Sequence, residues 1–363
     1  MSKKIVWITG DWALDTDLSV VLYLREHSEY SIKWCVICNH ASKVSIPEDV
    51  IDKIYYLKFR NRDMRCAKQY YEIFRELQLD KADLIYSDNL GFYYYYPILY
   101  RMKKRGTPIV HGAHNVIPYP VWPLWLKMYV KYIFRTNGHF QLFSKFTAEY
   151  FKRNYPSKSF FYSPMTLKSF GKVSTDNYNV DKSKLNLLFF GNVVMNKRLD
   201  LLIQAVKNLP SDIKQKVHLT IAGKCNNPQP YLEQIDGDSS ISVYFKRIDD
   251  CEVAELFAKH DFLMLPYQDV AQSGPHMIAY YYNLPVIASD IEGFKERVVD
   301  GVIGFLFKSK DEEDLKEKII KAATMSDEKK AEMKVNLKKF SEDNFSLEEV
   351  CRKYIKYFNS LIR

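Results

Sequence analysis

The sequence predicts an α/β protein built from two doubly wound, Rossmann-like domains that face a central cleft. Its 363 residues suit about two domains of ordinary size, and the 47% of hydrophobic residues are enough to fill two cores. Short apolar runs alternate with amphipathic segments in both halves, which is typical of parallel sheets flanked by helices. Ligands of such proteins usually bind in the cleft between the domains.

The first domain is expected at 1–165. Strands are predicted at 4–9, 32–38, 83–87, 108–114 and from 141, and helices at 19–25, 67–79, 93–104 and 147–153. The pattern then breaks into short pieces rich in Ser, Thr, Asn and Asp, so an interdomain linker is predicted at 166–184.

The second domain, at 185–340, repeats this alternation. Strands are predicted at 185–190, 217–222, 241–245, 262–265 and 285–288, and helices at 199–208, 252–259 and 276–282. A long amphipathic helix or helix pair at 341–363 follows and could pack back on the first domain.

The net charge of +9 is unevenly distributed. Residues 1–170 carry 25 basic against 15 acidic side chains, whereas residues 171–363 carry 28 against 29. Residues 101–170 hold 12 basic side chains and one acid, Glu149, with aromatic residues between them. Such a surface suits an anionic membrane or nucleic acid, and the plain alternative is a solvated basic helix face whose aromatic side chains point into the core.

The order of residues in WPLWLKMYVKYIFR favours the membrane. Lys127, Lys131 and Arg135 recur every four residues, and Trp122 and Trp125 are of the type that anchors at a membrane interface. These five residues are therefore predicted to form a membrane or acceptor surface. Nucleic acid is not expected as a partner, because no recognition motif accompanies the charge.

Other features indicate a cytoplasmic protein that rests on the inner face of the cell membrane. No run of about twenty apolar residues could span a bilayer, and the short apolar run at the N-terminus fits a first strand better than a signal peptide. Six cysteines in so long a chain do not make a disulfide scaffold. Cys35 and Cys38 have CxxC spacing, but they lie in a predicted strand and no second pair follows, so no metal site is predicted.

A short polar turn lies between a predicted buried strand and a helix in the second domain. The turn consists of Gln272, Ser273 and Gly274, and it follows the apolar run HDFLMLPY. Helix N-termini present unpaired backbone N–H groups and about half a positive charge. The turn is therefore a candidate seat for a phosphate group.

Four ordered blocks of the second half carry a resemblance. FFGNVVMNKRLDLLIQAV, LTIAGK, FKRIDDCEVAELFAKHDFLMLPY and LPVIASDIEGFKERVVDGVIGFLF resemble the C-terminal half of GT-B glycosyltransferases of the large retaining family called glycosyl transferases group 1. The first half is similar more loosely, through TGDWALD and through PIVHGAHN, where His114 falls at the family's active-site histidine. The resemblance implies transfer of a sugar from a nucleotide sugar, a UDP-sugar before others, to a glycan or lipid-linked acceptor in surface polysaccharide synthesis.

The resemblance also implies which residues bind the donor. Lys197 matches the lysine that contacts the diphosphate, and Asn192 stands where the family usually has an arginine, so Arg198 could supply the missing charge. The plain alternative is that Lys197 and Arg198 are surface cations at a helix start. Glu296 matches a family glutamate or is a helix cap. The full predicted set is Gly10, Gly191, Asn192, Lys197, Arg198, Gly223, Arg247, Ile248, Gln272, Ser273, Gly274 and Glu296.

The polar turn is also where this sequence departs from the common family pattern. Two glutamates expected eight positions apart are replaced by Val270 and Ile278, and QSG resembles a variant of the family's first acidic motif. Retention or inversion of configuration therefore stays open. A non-catalytic GT-B module that binds a partner transferase or a glycan is the alternative function, and an epimerase of the same fold would need cleft carboxylates that the sequence does not place.

Three side chains at predicted strand ends of the first domain are candidates for catalysis. They are His114, Asp88 and Asp11, of which His114 is the first choice and Asp88 is a candidate base. Neither a metal ion nor a cofactor is predicted, because the donor phosphates would be neutralised by Lys197, Arg198 and a helix end.

Overall fold

The computed structural model describes residues 2–42, 44, 46–89, 91, 93–118, 122–270 and 272–362. The chain forms two compact units. Unit 1 comprises Met1–Thr166 together with Leu347–Arg363, and unit 2 comprises Leu167–Ser346. Each unit contains one parallel sheet with helices on its faces, so the predicted doubly wound α/β class is confirmed.

Unit 1 contains a seven-stranded parallel sheet in the order β3-β2-β1-β4-β5-β6-β7. Its strands are β1 Lys3–Gly10, β2 Tyr30–Cys38, β3 Lys53–Tyr56, β4 Leu84–Asp88, β5 Ile109–Ala113, β6 His139–Leu142 and β7 Ser159–Tyr162. Its helices are α1 Leu14–His27, α2 Arg65–Leu77, α3 Tyr95–Met102, α4 Leu124–Thr136 and α5 Lys145–Asn154, completed by the C-terminal helix α14 at Leu347–Leu361.

The central strand β1 is apolar on both faces, because each face of the sheet is covered by helices. Val6 and Ile8 contribute to a core shared with α2, α3, α4 and α5. Ile5 and Trp7 contribute to a second core, which α1 and α14 cover from the other side. The alternation of side chains along one strand therefore supplies two cores.

Unit 2 contains a six-stranded parallel sheet in the order β10-β9-β8-β11-β12-β13. Its strands are β8 Leu185–Phe190, β9 Val217–Ala222, β10 Ile241–Tyr244, β11 Phe262–Leu265, β12 Val286–Ser289 and β13 Gly304–Phe307. Its helices are α6 Leu199–Lys207, α7 Ser211–Lys214, α8 Gln229–Ile235, α9 Asp250–Lys259, α10 Gly274–Tyr281, α11 Glu292–Lys295, α12 Glu312–Ala323 and α13 Asp327–Phe345.

Of the linker that the sequence predicts at 166–184, residue 166 belongs to unit 1 and residues 167–184 belong to unit 2. The Glu255 carboxylate on α9 accepts hydrogen bonds from the backbone N–H groups of Asn177 and Tyr178, at 2.9 and 2.8 Å. It also accepts one from the Thr175 hydroxyl at 2.6 Å. A polar composition predicts a loop, but it does not reveal the carboxylate that fixes the loop in place.

The predicted C-terminal helix is two helices that belong to different units. Helix α13 completes unit 2, the chain turns at Ser346, and α14 packs against α1 in unit 1. The Tyr354 hydroxyl on α14 donates a 2.6 Å hydrogen bond to Oε1 of Gln141 on β6, which also accepts one from Tyr86 on β4. Across the described residues, no helix combines the length and apolar character needed to cross a membrane.

Candidate active site

Three strands of unit 1 end side by side at the carboxyl edge of the sheet. Strands β1, β4 and β5 are direct neighbours, and Thr9 pairs with Asp88 in the β1–β4 register. The three catalytic candidates are therefore carried to one edge, with Asp11 just after β1, Asp88 at the end of β4 and His114 just after β5. Polar groups at this edge of a parallel sheet are well placed to meet ligands.

His114 and Asp88 form a direct pair. Nε2 of His114 lies 3.0 Å and 2.8 Å from the two carboxylate oxygens of Asp88. The imidazole stacks on the Phe143 ring at 4.1 Å, and the Trp12 indole approaches it edge-on at 5.0 Å. A carboxylate at Nε2 makes that nitrogen the hydrogen-bond donor, which leaves the basic lone pair on Nδ1. The pair therefore fixes the orientation of the imidazole at this edge of the sheet.

The carboxylate of Asp88 is fully buried, and the surrounding backbone makes room for it. A Cβ atom at Gly112 on β5 would lie 2.9 Å from Cγ of Asp88 and 3.0 Å from the Tyr86 hydroxyl oxygen. These distances are too short for a side chain, so glycine is required at this close approach.

A second buried acid, Asp17 on α1, lies beneath the pair. The Trp7 indole and the Thr9 hydroxyl donate hydrogen bonds to Oδ2 of Asp17, at 2.9 and 2.6 Å. Burial raises the pKa of Asp17 well above its usual range, and the charge of Asp88 raises it further. Burial and the neighbouring Asp88 carboxyl group therefore both disfavour the charged form of Asp17. Sequence reasoning missed Asp17, although an aspartate among the apolar residues of a helix is a usable signal.

Asp11 and Gly10 stabilise the loops at the carboxyl edge of the unit 1 sheet. Both carboxylate oxygens of Asp11 accept hydrogen bonds from Asn39, from its backbone N–H at 3.1 Å and from its side-chain amide at 2.7 Å. A Cβ atom at Gly10 would lie 2.7 Å from the indole nitrogen of Trp12. Asp11 thus connects the ends of β1 and β2, and Gly10 allows the Trp12 indole to lie across the strand end.

In unit 2, two glycines bring the loops after β8 and β9 into contact. Gly191 has φ +105° and Gly223 has φ +152°, which are conformations that glycine tolerates and other residues rarely adopt. A Cβ atom at Gly223 would collide with the carbonyl oxygen of Gly191. Both glycines are therefore needed for the loops to pack this closely.

Lys197 reaches over this pair of loops to the start of α10. Its Nζ lies 3.0 Å from the position that a Cβ of Gly191 would occupy, and the Pro275 ring lies 3.6 Å from the same position. Burial lowers the pKa of the Lys197 amine to about 8. The Ser273 hydroxyl caps α10 by accepting a hydrogen bond from the backbone N–H of His276 at 3.4 Å. The Lys197 amine and the first turn of α10 therefore both lie beside Gly191, and both contribute positive potential there.

Arg198 does not share this space with Lys197. Its Nε and Nη2 donate to the two carboxylate oxygens of Asp200 at 3.0 and 2.9 Å, so its charge is already balanced. Its backbone has φ +48°, and its side chain lines a separate cavity of about 660 Å³ together with Asp200 and Tyr231. Asn192, which precedes these residues, is exposed.

The remaining predicted donor residues occupy varied positions. Arg247 is exposed and Ile248 is buried in the loop after β10, directly before the capping box of Asp249 and Glu252 that begins α9. Glu296 ends α11, and its carboxylate pairs with Nη2 of Arg297 at 3.1 Å.

Neither of the two positions where the family pattern expects a glutamate, one before α10 and one within it, holds a carboxylate. Gln272 lies in the turn between Val270 and the start of the helix. Ile278 packs into the core of unit 2. Elsewhere in the described parts of both units, no group of three or more His, Cys, Asp or Glu side chains could hold a metal ion.

The basic surface of unit 1 differs from the predicted one in its aromatic residues. The Trp125 ring lies under the Arg62 guanidinium at 3.9 Å, and Trp122 packs against the core. The exposed apolar side chains of α4 are instead Leu124, Met128 and Tyr132, with exposed fractions of 73%, 64% and 40%.

The three predicted cations of α4 lie along one groove. Lys127, Lys131 and Arg135 line a cavity of about 660 Å³, which Lys158 and Tyr150 also border. Because residues four apart share a helix face, the cations form one stripe and the exposed apolar residues form the stripe beside it.

Comparisons with known proteins agree with this architecture. Residues 184–325 match the sequence model of the Glycosyl transferases group 1 family. A Methanocaldococcus jannaschii protein named "Uncharacterized glycosyltransferase MJ1069" is 23% identical over 336 residues, which is 87% of this chain and 82% of the relative. A Klebsiella pneumoniae protein named "Uncharacterized 41.2 kDa protein in cps region" is 28% identical over 36% of this chain and 35% of its own length.

Solved structures show the same fold at low sequence identity. Anabaena Alr3699/HepE in complex with UDP and glucose has a TM-score of 0.77 and 14% identity, over 99% of this chain and all of that one. The Thermosynechococcus elongatus sucrose-phosphate synthase has a TM-score of 0.78 and 13% identity, over 99% of both chains. WaaG, described as a glycosyltransferase involved in lipopolysaccharide biosynthesis, has a TM-score of 0.66 and 16% identity, over 98% and 99%.

The fold and the family match together define a glycosyltransferase of the GT-B fold. Within the second unit, residues 184–325 are the part of the chain that matches the Glycosyl transferases group 1 model.

Proposed function

We propose that this protein transfers a sugar from a UDP-sugar to a glycan or lipid-linked acceptor in surface polysaccharide synthesis, without a metal ion. The observation that carries the proposal is the convergence of the Lys197 amine, the Gly191 loop and the start of α10 in unit 2. Solved structures of the same fold were determined with UDP and with UDP-glucose, which supports a uridine nucleotide as the donor.

The donor end of the reaction needs positive charge where the diphosphate leaves. As the bond to the sugar breaks, the diphosphate gains negative charge, and preorganised cations and N–H groups stabilise that charge. Lys197 offers the cation, and the turn at Ser273 and Gly274 offers the backbone N–H groups. The residues after β10, Arg247 and Ile248, are proposed to hold the base, with Gly223 shaping the loop beside them.

The acceptor end is proposed to use the His114–Asp88 pair of unit 1. With Nε2 of His114 held by Asp88, Nδ1 can accept a proton from, or a hydrogen bond of, a sugar hydroxyl. Trp12 is 41% exposed beside this imidazole and offers an apolar face on which a sugar ring can stack. The His114–Asp88 pair and the partly buried Lys197 favour an active enzyme over a non-catalytic module.

Nucleotide binding is the direct test of the proposed function. UDP and UDP-sugars should raise the melting temperature of the purified protein by several degrees, because a ligand at about one hundred times its Kd adds about 2.7 kcal/mol of stability. GDP- and ADP-sugars serve as comparisons in the same screen. If no nucleotide sugar shifts the transition and none is hydrolysed, the protein is not this enzyme.

We also propose that α4 attaches unit 1 to an anionic membrane. The exposed stripe of Leu124, Met128 and Tyr132 can enter the interface, while the stripe of Lys127, Lys131 and Arg135 faces lipid phosphates. This places the protein on the cytoplasmic face of the membrane, next to a lipid-linked acceptor.

The membrane proposal predicts a charge-dependent association with vesicles. Replacing Lys127, Lys131 and Arg135 together with glutamine should weaken binding to anionic vesicles about a hundredfold, because each basic residue near the surface contributes about 1 kcal/mol. Met128→Ser should also weaken flotation, whereas Met64→Ser, at a methionine of the same unit that is more exposed still, should not. Equal binding to neutral and anionic vesicles would contradict the proposal.

A further inference from the structure

The proposed diphosphate site needs enough positive charge to balance the phosphate groups. One lysine is a modest counterpart for a diphosphate, and burial already lowers the pKa of Lys197 to about 8. The neighbouring cation, Arg198, is engaged by both carboxylate oxygens of Asp200. A second cation that faces the start of α10 would have to come from another part of unit 2.

Lys168 occupies such a position. Its Nζ lies 3.7 Å from the place that a Cβ of Gly274 would occupy, so the amine stands beside the first residue of α10. Lys197 reaches the same helix start from the β8 loop, where its Nζ and the Pro275 ring lie beside Gly191. The two lysines therefore approach one helix N-terminus from two different segments.

The backbone around Lys168 is fixed against α10. The Lys168 N–H donates to the carbonyl oxygen of Met277 at 3.3 Å, and the N–H of Phe170 donates to the Tyr282 hydroxyl at 3.0 Å. That hydroxyl in turn donates to the carbonyl oxygen of Gly171 at 2.8 Å. Because these hydrogen bonds tie the backbone of the segment to α10, no loop has to be ordered for the Lys168 side chain to reach the site.

We propose that Lys168 is the second cation of the nucleoside diphosphate site, binding the diphosphate together with Lys197 and the N-terminus of α10. The inference rests on the donor site proposed above for unit 2. It assigns a direct ligand contact to a residue in the segment that composition alone marks as a linker. Lysine suits the role, because its ammonium group can donate to phosphate oxygens from several directions.

The test separates the phosphate contribution from the rest of the ligand. Affinities of uridine and UDP are measured by calorimetry for the wild-type protein, Lys168→Met, Lys168→Arg and the control Lys172→Met, with guanosine and GDP as a second pair. Lys172 is exposed, carries the same charge and lies four residues further along the same segment. The ratio of diphosphate to nucleoside affinity isolates the contacts made to the phosphates.

We expect Lys168→Met to lower this ratio by about tenfold or more, the usual effect of losing a hydrogen bond to a charged group, with nucleoside affinity unchanged. Lys168→Arg should retain most of the ratio, and Lys172→Met should match the wild type. The inference is overturned if Lys168→Met keeps the wild-type ratio, or if it weakens nucleoside and diphosphate equally. A wild-type protein that binds no diphosphate more tightly than its nucleoside would overturn the proposed function as well.

Discussion

Replacing His114 with glutamine should reduce the turnover number of sugar transfer by about 10²- to 10⁴-fold, the range that positioned acid or base groups contribute. The imidazole is held by Asp88 through Nε2, and glutamine cannot supply a basic Nδ1 in its place. Asp88→Asn should have a comparable effect, because an amide that donates to Nε2 would impose the other tautomer. The measurement is steady-state transfer to an acceptor, with the anomeric configuration of the product read by NMR.

The controls separate catalysis from folding and donor binding. UDP affinity should stay within about twofold in the His114 variant, since we propose that the diphosphate binds to unit 2. His139→Gln is a matched control, because His139 begins β6 at the opposite edge of the same sheet and contacts Tyr357. Full turnover in His114→Gln would assign proton removal to the departing diphosphate, as in a retaining mechanism without a protein base.

Replacing Lys197 with methionine should lower kcat/KM for the donor by about 10²- to 10³-fold, the usual effect of removing one preorganised donor from a developing anion. The partly buried amine lies 3.0 Å from the position that a Cβ of Gly191 would occupy. Donor hydrolysis and UDP affinity are the two readouts. Lys216→Met, at an exposed lysine just before β9 and at the other edge of the sheet, is the matched control.

The pKa of Lys197 also predicts how UDP binding depends on pH. Burial lowers this pKa to about 8, and a bound diphosphate stabilises the ammonium form and raises it again. Affinity should therefore change by no more than about twofold between pH 7 and 8 and should fall, by up to about tenfold per pH unit, well above pH 8, where the unliganded protein must first take up a proton. Lys197→Met should remove this dependence. A pH-independent affinity in the wild type would contradict the assignment of Lys197 to the diphosphate.

Much of the fold could be predicted from the sequence, because the central strands of both sheets are long apolar runs. Strands β1, β2, β8 and β9 are of this kind, and they lie buried between layers of helices. The edge strand β3 was not predicted. Its four residues, KIYY, are partly exposed and too few to show a period.

The site was predictable where a residue's role follows from its place at a strand end. Asp88 is the last residue of β4 and His114 directly follows β5, its parallel neighbour, so strand order alone brings them together. Asp17 and Lys168 could not be found in this way, since Asp17 lies on helix α1 and Lys168 lies in an irregular segment bonded to α10. Arg198 was predicted to bind the donor but its guanidinium is directed elsewhere. Its neighbour Lys197 faces α10, whereas the left-handed backbone of Arg198 and the ion pair with Asp200 turn the guanidinium away.

For helix α4, composition predicts that a basic surface is present, but it does not predict which apolar side chains are exposed there. The spacing of Lys127, Lys131 and Arg135 correctly places them on one stripe. Trp125 is one residue from Leu124, which rotates it by about 100° around the helix, and there it meets Arg62. Aromatic residues near a basic stripe can therefore be core residues, and only the packing decides which apolar side chains remain outside.

The position of α14 has a consequence for how the protein forms on the ribosome. Unit 2 is complete once Ser346 has emerged, whereas unit 1 lacks α14 until residues 347–361 have been synthesised. Translation at about 5–20 residues per second therefore leaves the apolar face of α1 and the central strands uncovered while all of unit 2 is made. The second half of the chain can fold before the first, and the first half is the one that needs protection from aggregation during synthesis.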